Sequence, residues 1–544
     1  MWQNNRRWPG RVFNCLEGLE PRLLLSWTPL DFPLPPDPPP LTWVDFEPPL
    51  ECDQPNNIST RLWELVQALQ DARAADPNAD LSQVTVVHGD LAMALRPGDV
   101  TADGDIKVQV RLSSTGMENY EAVSSLVQDA VLHQPAAFGY WVVTGRVSYA
   151  DVEALSQVPG VIHMDLPIYA VPQTGSVTTG GDSIHNADDL RALTSVDGTG
   201  VKIGVISNGV DHKQYSIDSG DLPDTITVHE GYEGGGDKGT AMLEIVHDLA
   251  AGAQLYLSSG IAGIDDMLDS IDWLTEQGCD VIVDDLWFPN EPFFQDGYVA
   301  EAATDAIASG VSYVTAAGNF AETHYQAGYV DFGDGSHQFA TGQNVEPFYL
   351  GPRGDLVGAL QWSDEWESSG NEYDLYLYQW TGSQWSYTGY HSTEEQNGDD
   401  TPFEFIQLTN PYDSTLTLGR VIHRYSGSSR ELELFTYGYV AMAPGAVIMA
   451  DDSISGHAAA EGVIAAAASP ASAPTTMEDF SSRGTSTIYT NFTTQTKNYR
   501  SPLDITGIDE VQTKVGLLGY FSNPFSGTSA AALASQQGQG GEGQ

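Results

Sequence analysis

Positive charge is scarce in this chain. Its 544 residues include only 22 Lys and Arg against 74 Asp and Glu, a net charge of −52 at neutral pH. A surface that acidic repels phosphate, which excludes binding to nucleic acid through its backbone. A solvated acidic surface suits a soluble exported protein. Cysteine is nearly absent: Cys15, Cys52 and Cys279 are too few for a disulfide framework. Cys279 precedes the apolar run Val281-Ile282-Val283 and reads as a core residue. Long hydrophobic runs are missing too, and none approaches the roughly 20 residues of a membrane-spanning helix. What the chain does have is 55 glycines and 10% aromatics. That is the composition of a globular protein, long enough for two to four domains.

Taken in order, residues 1–57 combine Arg6, Arg7 and Arg11 with a short Leu23-Leu24-Leu25 run and a proline-dense stretch from Leu30 to Pro49. The leucine run is too short for a standard secretory segment, and the prolines read as an extended linker. Leu19-Glu20-Pro21-Arg22-Leu23-Leu24-Leu25-Ser26 resembles the LEPR-type export segment of planctomycete surface proteins, which implies a destination at the cell surface or outside it. Residues 58–172 predict a small α+β unit. They contain a helix from Arg61, a strictly alternating strand Ile106 to Leu112, a helix Tyr120 to Leu132 and a strand Tyr140 to Val147.

From 198 the pattern becomes α/β. Val201 to Ile206 is a buried parallel strand, and it stops at Ser207-Asn208-Gly209-Val210-Asp211. Gly234 to Thr240 opens a helix running to Leu249, and further strands and helices alternate up to Ala316-Ala317-Gly318-Asn319. The order predicts a parallel sheet with helices on both faces, whose functional groups sit at the carboxyl ends of the strands. Residues 335–438 read differently, as short aromatic-rich strands separated by Gly, Ser and Asn turns. They predict an antiparallel β-sandwich inserted between a first part of the α/β domain (173–334) and a second part (439–544). Asp331-Phe332-Gly333-Asp334-Gly335 offers oxygens to a structural calcium ion, but it lacks EF-hand spacing and reads as a solvated turn. No cofactor is required.

Near the end, Gly527-Thr528-Ser529-Ala530 puts a serine where a loop becomes a helix of small residues, so its hydroxyl faces the positive helix end. Gly484-Thr485-Ser486 shares the pattern and reads as an ordinary turn. With Val205 to Asp211, Lys238-Gly239-Thr240-Ala241-Met242, Ala316 to Asn319 and Phe480-Ser481-Ser482-Arg483-Gly484, this block falls in the order found in subtilases. The chain resembles that family of subtilisin-like serine peptidases over about 185–328 and 441–534. The resemblance implies a subtilisin-like fold, a polypeptide substrate or partner protein, Ser529 as nucleophile and Asn319 as oxyanion donor. It also implies that 58–172 is a propeptide, so that an active enzyme is expected as a processed form lacking roughly the first 170 residues.

Two family positions depart from the pattern. The histidine position falls on Lys238, and the aspartate position on Ser207 or Asn208. A lysine serves as base only if burial or a nearby cation lowers its pKa, and the adjacent Asp237 is expected to raise it. Asp211 and His212 lie past the site. Glu244 and Asp248, with His247 between them, read as an exposed helix face. Leu533 stands where the family has proline, and the chain then enters a Gly/Gln tail, so the domain is expected to be shortened at its C-terminus. The expected function is serine endopeptidase; the alternative is a pseudopeptidase that holds peptides or a partner protein.

Overall fold

A computed structural model of the chain describes residues 43, 44, 46, 55–88, 91–96, 98–113, 119–133, 141–168, 171–172, 181–194, 196–522 and 524–534. The export-like segment, most of the proline-dense stretch, Cys15, Cys52 and the Gly/Gln tail lie outside the described residues.

Seven strands form a sheet, in the order Leu503–Asp509, Ile464–Pro470, Ser312–Ala316, Val281–Asp284, Lys202–Ser207, Gln254–Ser259 and Ile226–Val228. Every neighbouring pair in it is parallel. Successive residues of a strand face opposite sides, and the packing follows that rule. Val205, Leu257, Val283 and Val314 are buried with the helices Lys238–Leu249 and Thr528–Ala534. Ile206, Tyr256, Ile282 and Tyr313 are buried with the helices Ile264–Glu276 and Tyr298–Ala308 on the other face. Each buried aliphatic side chain contributes about 1.5–3 kcal/mol, so the two layers lock the sheet between them. Cys279 lies in the second layer. The chain leaves Lys202–Ser207 toward one edge of the sheet and returns to its other side at Val281–Asp284. Ligand crevices form at the carboxyl ends of such a switch.

Two antiparallel sheets follow. One is ordered Trp385–Ser392, Glu372–Trp380, Leu416–Ser426, Glu346–Leu350 and Val440–Met442. The other is ordered Val87–His88, Leu91–Met93, Phe403–Thr409, Asp355–Trp362, Glu431–Gly438 and Tyr325–Gly328. One aromatic-rich core joins them. The sandwich therefore opens at Tyr325 and closes at Met442, and it takes in two strands from the N-terminal unit.

That unit carries its own four-stranded sheet, ordered Val127–His133, Trp141–Ser148, Asp105–Leu112 and Val161–Asp165. The helix expected over Tyr120 to Leu132 ends at Leu126. Residues 127–133 instead pair with Trp141–Ser148, through a register shift at which Asp129 takes φ +52°. Pairing at a sheet edge outweighs a weak helical pattern here, because Val127 gains full burial against Val147.

Candidate active site

The carboxyl ends of three neighbouring strands gather the site. Ser207 ends the first, Asp284 the second, and Ala316 the third, with Asn208, Asp285 and Asn319 following.

Asn208 acts as a cap. Its Oδ1 accepts from the backbone N–H of Lys238 at 3.0 Å and of Gly239 at 3.3 Å, which satisfies the start of the Lys238–Leu249 helix. Gly239 permits this approach, since a Cβ there would lie 2.6 Å from the Gly209 carbonyl. Asn208 thus joins Lys238 through the backbone.

The amine has another partner. Lys238 is fully buried, and its Nζ lies 2.5 Å from Oδ2 of Asp285, which is also fully buried. Burial lowers the lysine pKa to about 8 against the opposing pull of Asp285. Burial raises the carboxyl of Asp285, opposed by Lys238 and Ser207. This corrects the expectation about Asp237: its carboxylate accepts from the His212 backbone N–H at 2.7 Å and pairs with His212 Nδ1 at 2.5 Å. His212 in turn stacks on Tyr520, ring centroids 3.9 Å apart.

The segments that carry the nucleophile candidate and the oxyanion candidate touch through Thr528. Asn319 Oδ1 accepts from Thr528 N–H at 3.2 Å and Thr528 Oγ1 at 3.1 Å. A backbone N–H only donates, so the amide oxygen must be the atom facing Thr528. The amide nitrogen is the group left to donate elsewhere. Ser529 is the next residue and is buried at the start of the Thr528–Ala534 helix. The Phe480 to Gly484 loop closes over the same corner: Ser482 N–H donates to the Gly318 carbonyl at 2.8 Å, and Phe320 N–H to Ser482 Oγ at 3.1 Å.

A second charged group lies behind Asp285. His457 reaches Asp284 with Nε2 at 3.1 Å and Glu291 with Nδ1 at 2.8 Å. Burial opposes its charge, but Glu291 and Asp284 together hold its pKa well above the ordinary value. Thr315 Oγ1 adds a 2.8 Å bond to Asp284. Asp284, Asp285, Glu291 and His457 were not singled out from the sequence. The available signal was two acids at the carboxyl end of the apolar strand Val281 to Val283.

An extended piece of the chain also reaches this corner. Leu286–Trp287, directly after Asp285, pairs antiparallel with Val171–Pro172. Here a strand of the chain itself is added beside the residues that follow Asp285.

Other expectations are revised. Glu244 does not lie on an exposed face. It is buried and accepts from Ser216 Oγ at 2.5 Å, from Val515 N–H at 3.3 Å and from Lys514 N–H, while Asp248 is exposed. Asp331 uses Oδ1 to accept from Gly333 and Gly335 N–H at 2.8 and 3.1 Å, within its own turn. Among the described residues no group of three or more His, Cys, Asp or Glu is arranged to hold a metal ion. No helix among them is long and apolar enough to cross a membrane.

The buried Glu244 gives a pH test. Burial raises its carboxyl from 4.5 to about 7. A carboxyl raised by folding stabilises the fold while protonated, and that contribution is lost as pH rises through 7. Glu244→Gln is therefore expected to match the parent's stability at pH 4 and exceed it at pH 8, by on the order of 3 kcal/mol. Denaturant melts at both pH values check this; a difference independent of pH removes the carboxyl as its source.

No protein-family model matches this chain, and no curated protein does either. Among solved structures it is similar to the CspB protease of Clostridium perfringens, with 12% identity, TM-score 0.38, and coverage of 65% of this chain and 84% of that one. It is also similar to the epidermin leader peptide processing serine protease EpiP of Staphylococcus aureus, with 13% identity, TM-score 0.26, and coverage of 40% of this chain and 61% of that one.

Proposed function

We propose that the chain is an exported serine endopeptidase of subtilase type that cleaves polypeptides through Ser529, with Lys238 in the place of the histidine. The observation that supports this best is the pair of hydrogen bonds from Thr528 to Asn319, which join the Asn319 segment to the residue before Ser529 at a helix start. In this scheme the neutral Lys238 amine takes the Ser529 proton, and Oγ attacks the scissile carbonyl. Asn319 and the Ser529 N–H stabilise the oxyanion, and the protonated amine returns its proton to the leaving amine. Burial of Lys238 supplies the lowered pKa that a lysine base needs. The chemistry asks for no metal ion.

The scheme sets a pH profile. Lys238 is charged below about 8 and neutral above it, so reaction of Ser529 with a fluorophosphonate is expected to rise about tenfold per pH unit and level off above pH 8. Asn319→Ala is expected to slow it on the order of 10²–10³-fold. Absence of labelling at pH 9 in folded protein overturns hydrolysis.

A second reading keeps the cleft and removes the cutting. It is favoured by the 2.5 Å contact between Lys238 and Asp285, which holds a proton on the amine, and by the pairing of Val171–Pro172 with Leu286–Trp287. On that reading the protein holds extended peptides or a partner's tail by strand addition.

A further inference from the structure

The N-terminal unit is built into the inserted sandwich. Leu91–Met93 is one of the strands of the six-stranded sheet, with Met93 opposite Leu408 and Ala92 opposite Thr409. This short strand divides its side chains between two cores. Leu91 is fully buried in the sandwich core with Ile406 and Leu408, whereas Met93 is buried in the core of the N-terminal unit.

Further contacts bind the same two bodies. Thr60 N–H, at the start of the first helix, donates to Glu394 at 2.6 Å. The neighbouring Arg61 guanidinium lies 4.7 Å above the Phe405 ring and pairs with Asp165 at 3.1 Å. Upstream of the unit, Phe46 is buried against Tyr376 and Val421, and the Asn344 side chain bonds both the N–H and the carbonyl of Val44, at 3.0 and 3.1 Å. This part of the chain also touches the α/β domain: Gln109 Nε2 donates to Asp265 at 3.4 Å, Ile168 is buried with Trp287, Phe293 and Phe320, and Val171–Pro172 forms a two-residue ladder with Leu286–Trp287.

A detachable leader leaves behind a finished surface. Here departure would uncover the backbone edge of Phe403–Thr409 and the apolar side chains that Leu91 covers, an arrangement prone to aggregation. We propose that residues 44–168 form a permanent domain, clamped to the sandwich by strand insertion and retained when the chain behind it is cut. The clamp holds whether or not Ser529 is a nucleophile.

The test uses the full-length chain with a recognition sequence for a site-specific protease inserted between Gly175 and Ser176. After cutting, the two fragments are expected to co-elute in gel filtration at the position of the intact 58.6 kDa chain. In hydrogen exchange, peptides covering 91–96 and 403–409 are expected to stay at least 100-fold slower than unstructured chain. Leu91→Asp, which drives a charge into the sandwich core, is expected to let the cut fragments separate. Separation of the unsubstituted fragments, with the larger one still monomeric and natively folded, overturns permanence. Co-elution with unprotected exchange at 91–96 and 403–409 overturns strand insertion, as does undiminished co-elution of the Leu91→Asp pair. Should Leu91→Asp not fold, the exchange measurement on the unsubstituted protein decides alone.

Discussion

Ser529→Ala is expected to reduce hydrolysis of an unfolded protein substrate at pH 9 to background, a loss on the order of 10³-fold or more. The fold should barely respond. Ser529 is followed by Ala530, Ala531 and Ala532, all fully buried, so a methyl group suits the same packed helix. Stability is expected within about 1 kcal/mol of the parent, because no cavity is opened. Turnover and fluorophosphonate labelling measured side by side check this. Hydrolysis that survives the substitution removes Ser529 from the reaction and sinks the serine-nucleophile scheme.

Lys238→Met is expected to have the largest effect on stability. It leaves Asp285 buried without its cation, and breaking a buried pair from one side costs about 3–5 kcal/mol. The double variant Lys238→Met with Asp285→Leu is expected to recover most of that loss, since apolar replacement of a whole buried pair is near neutral. Neither is expected to hydrolyse peptides. Asp285→Asn separates the chemical role from the structural one. Asp285 raises the pKa of Lys238 against burial, so its removal is expected to move the midpoint of labelling below pH 8. A midpoint that stays put, or a double variant as unstable as the single, contradicts the account of the pair.

The middle of the parallel sheet was legible in the sequence because Val201 to Ile206, Val281 to Val283 and Val311 to Thr315 are apolar runs, whereas the edge strand Leu503–Asp509 alternates with polar residues and was not. The helix Ile264–Glu276 shows a helical period, with Met267, Ile271 and Leu274 buried on one face. Ser529 and Asn319 were legible as blocks in order along the chain, and the structure brings their segments into contact through Thr528. The charge network was not legible, because its meaning lies in pairings across the fold. Lys238 reads as a lysine at the histidine position with Asp237 as its acid neighbour until Asp285 is seen beside it, and His457 is one of 12 histidines until it is found between Asp284 and Glu291. Glu244 failed for a related reason. Its helix is covered on two sides, so the i, i+4 relation to Asp248 says nothing about exposure. The segment 87–93 was invisible as sandwich, since its partner strand lies in another part of the chain.

That distance has a consequence for biosynthesis. Met93 leaves the ribosome about 300 residues before Leu408, which at 5–20 residues per second is a delay of roughly 15–60 s. Through that interval the nascent chain carries an unmatched β-edge and an uncovered leucine, and it cannot close the loop until the insert is complete. Maturation is therefore paced by translation of the middle of the chain, and holdase chaperones that shield residues 87–93 during that wait should raise the yield of native protein.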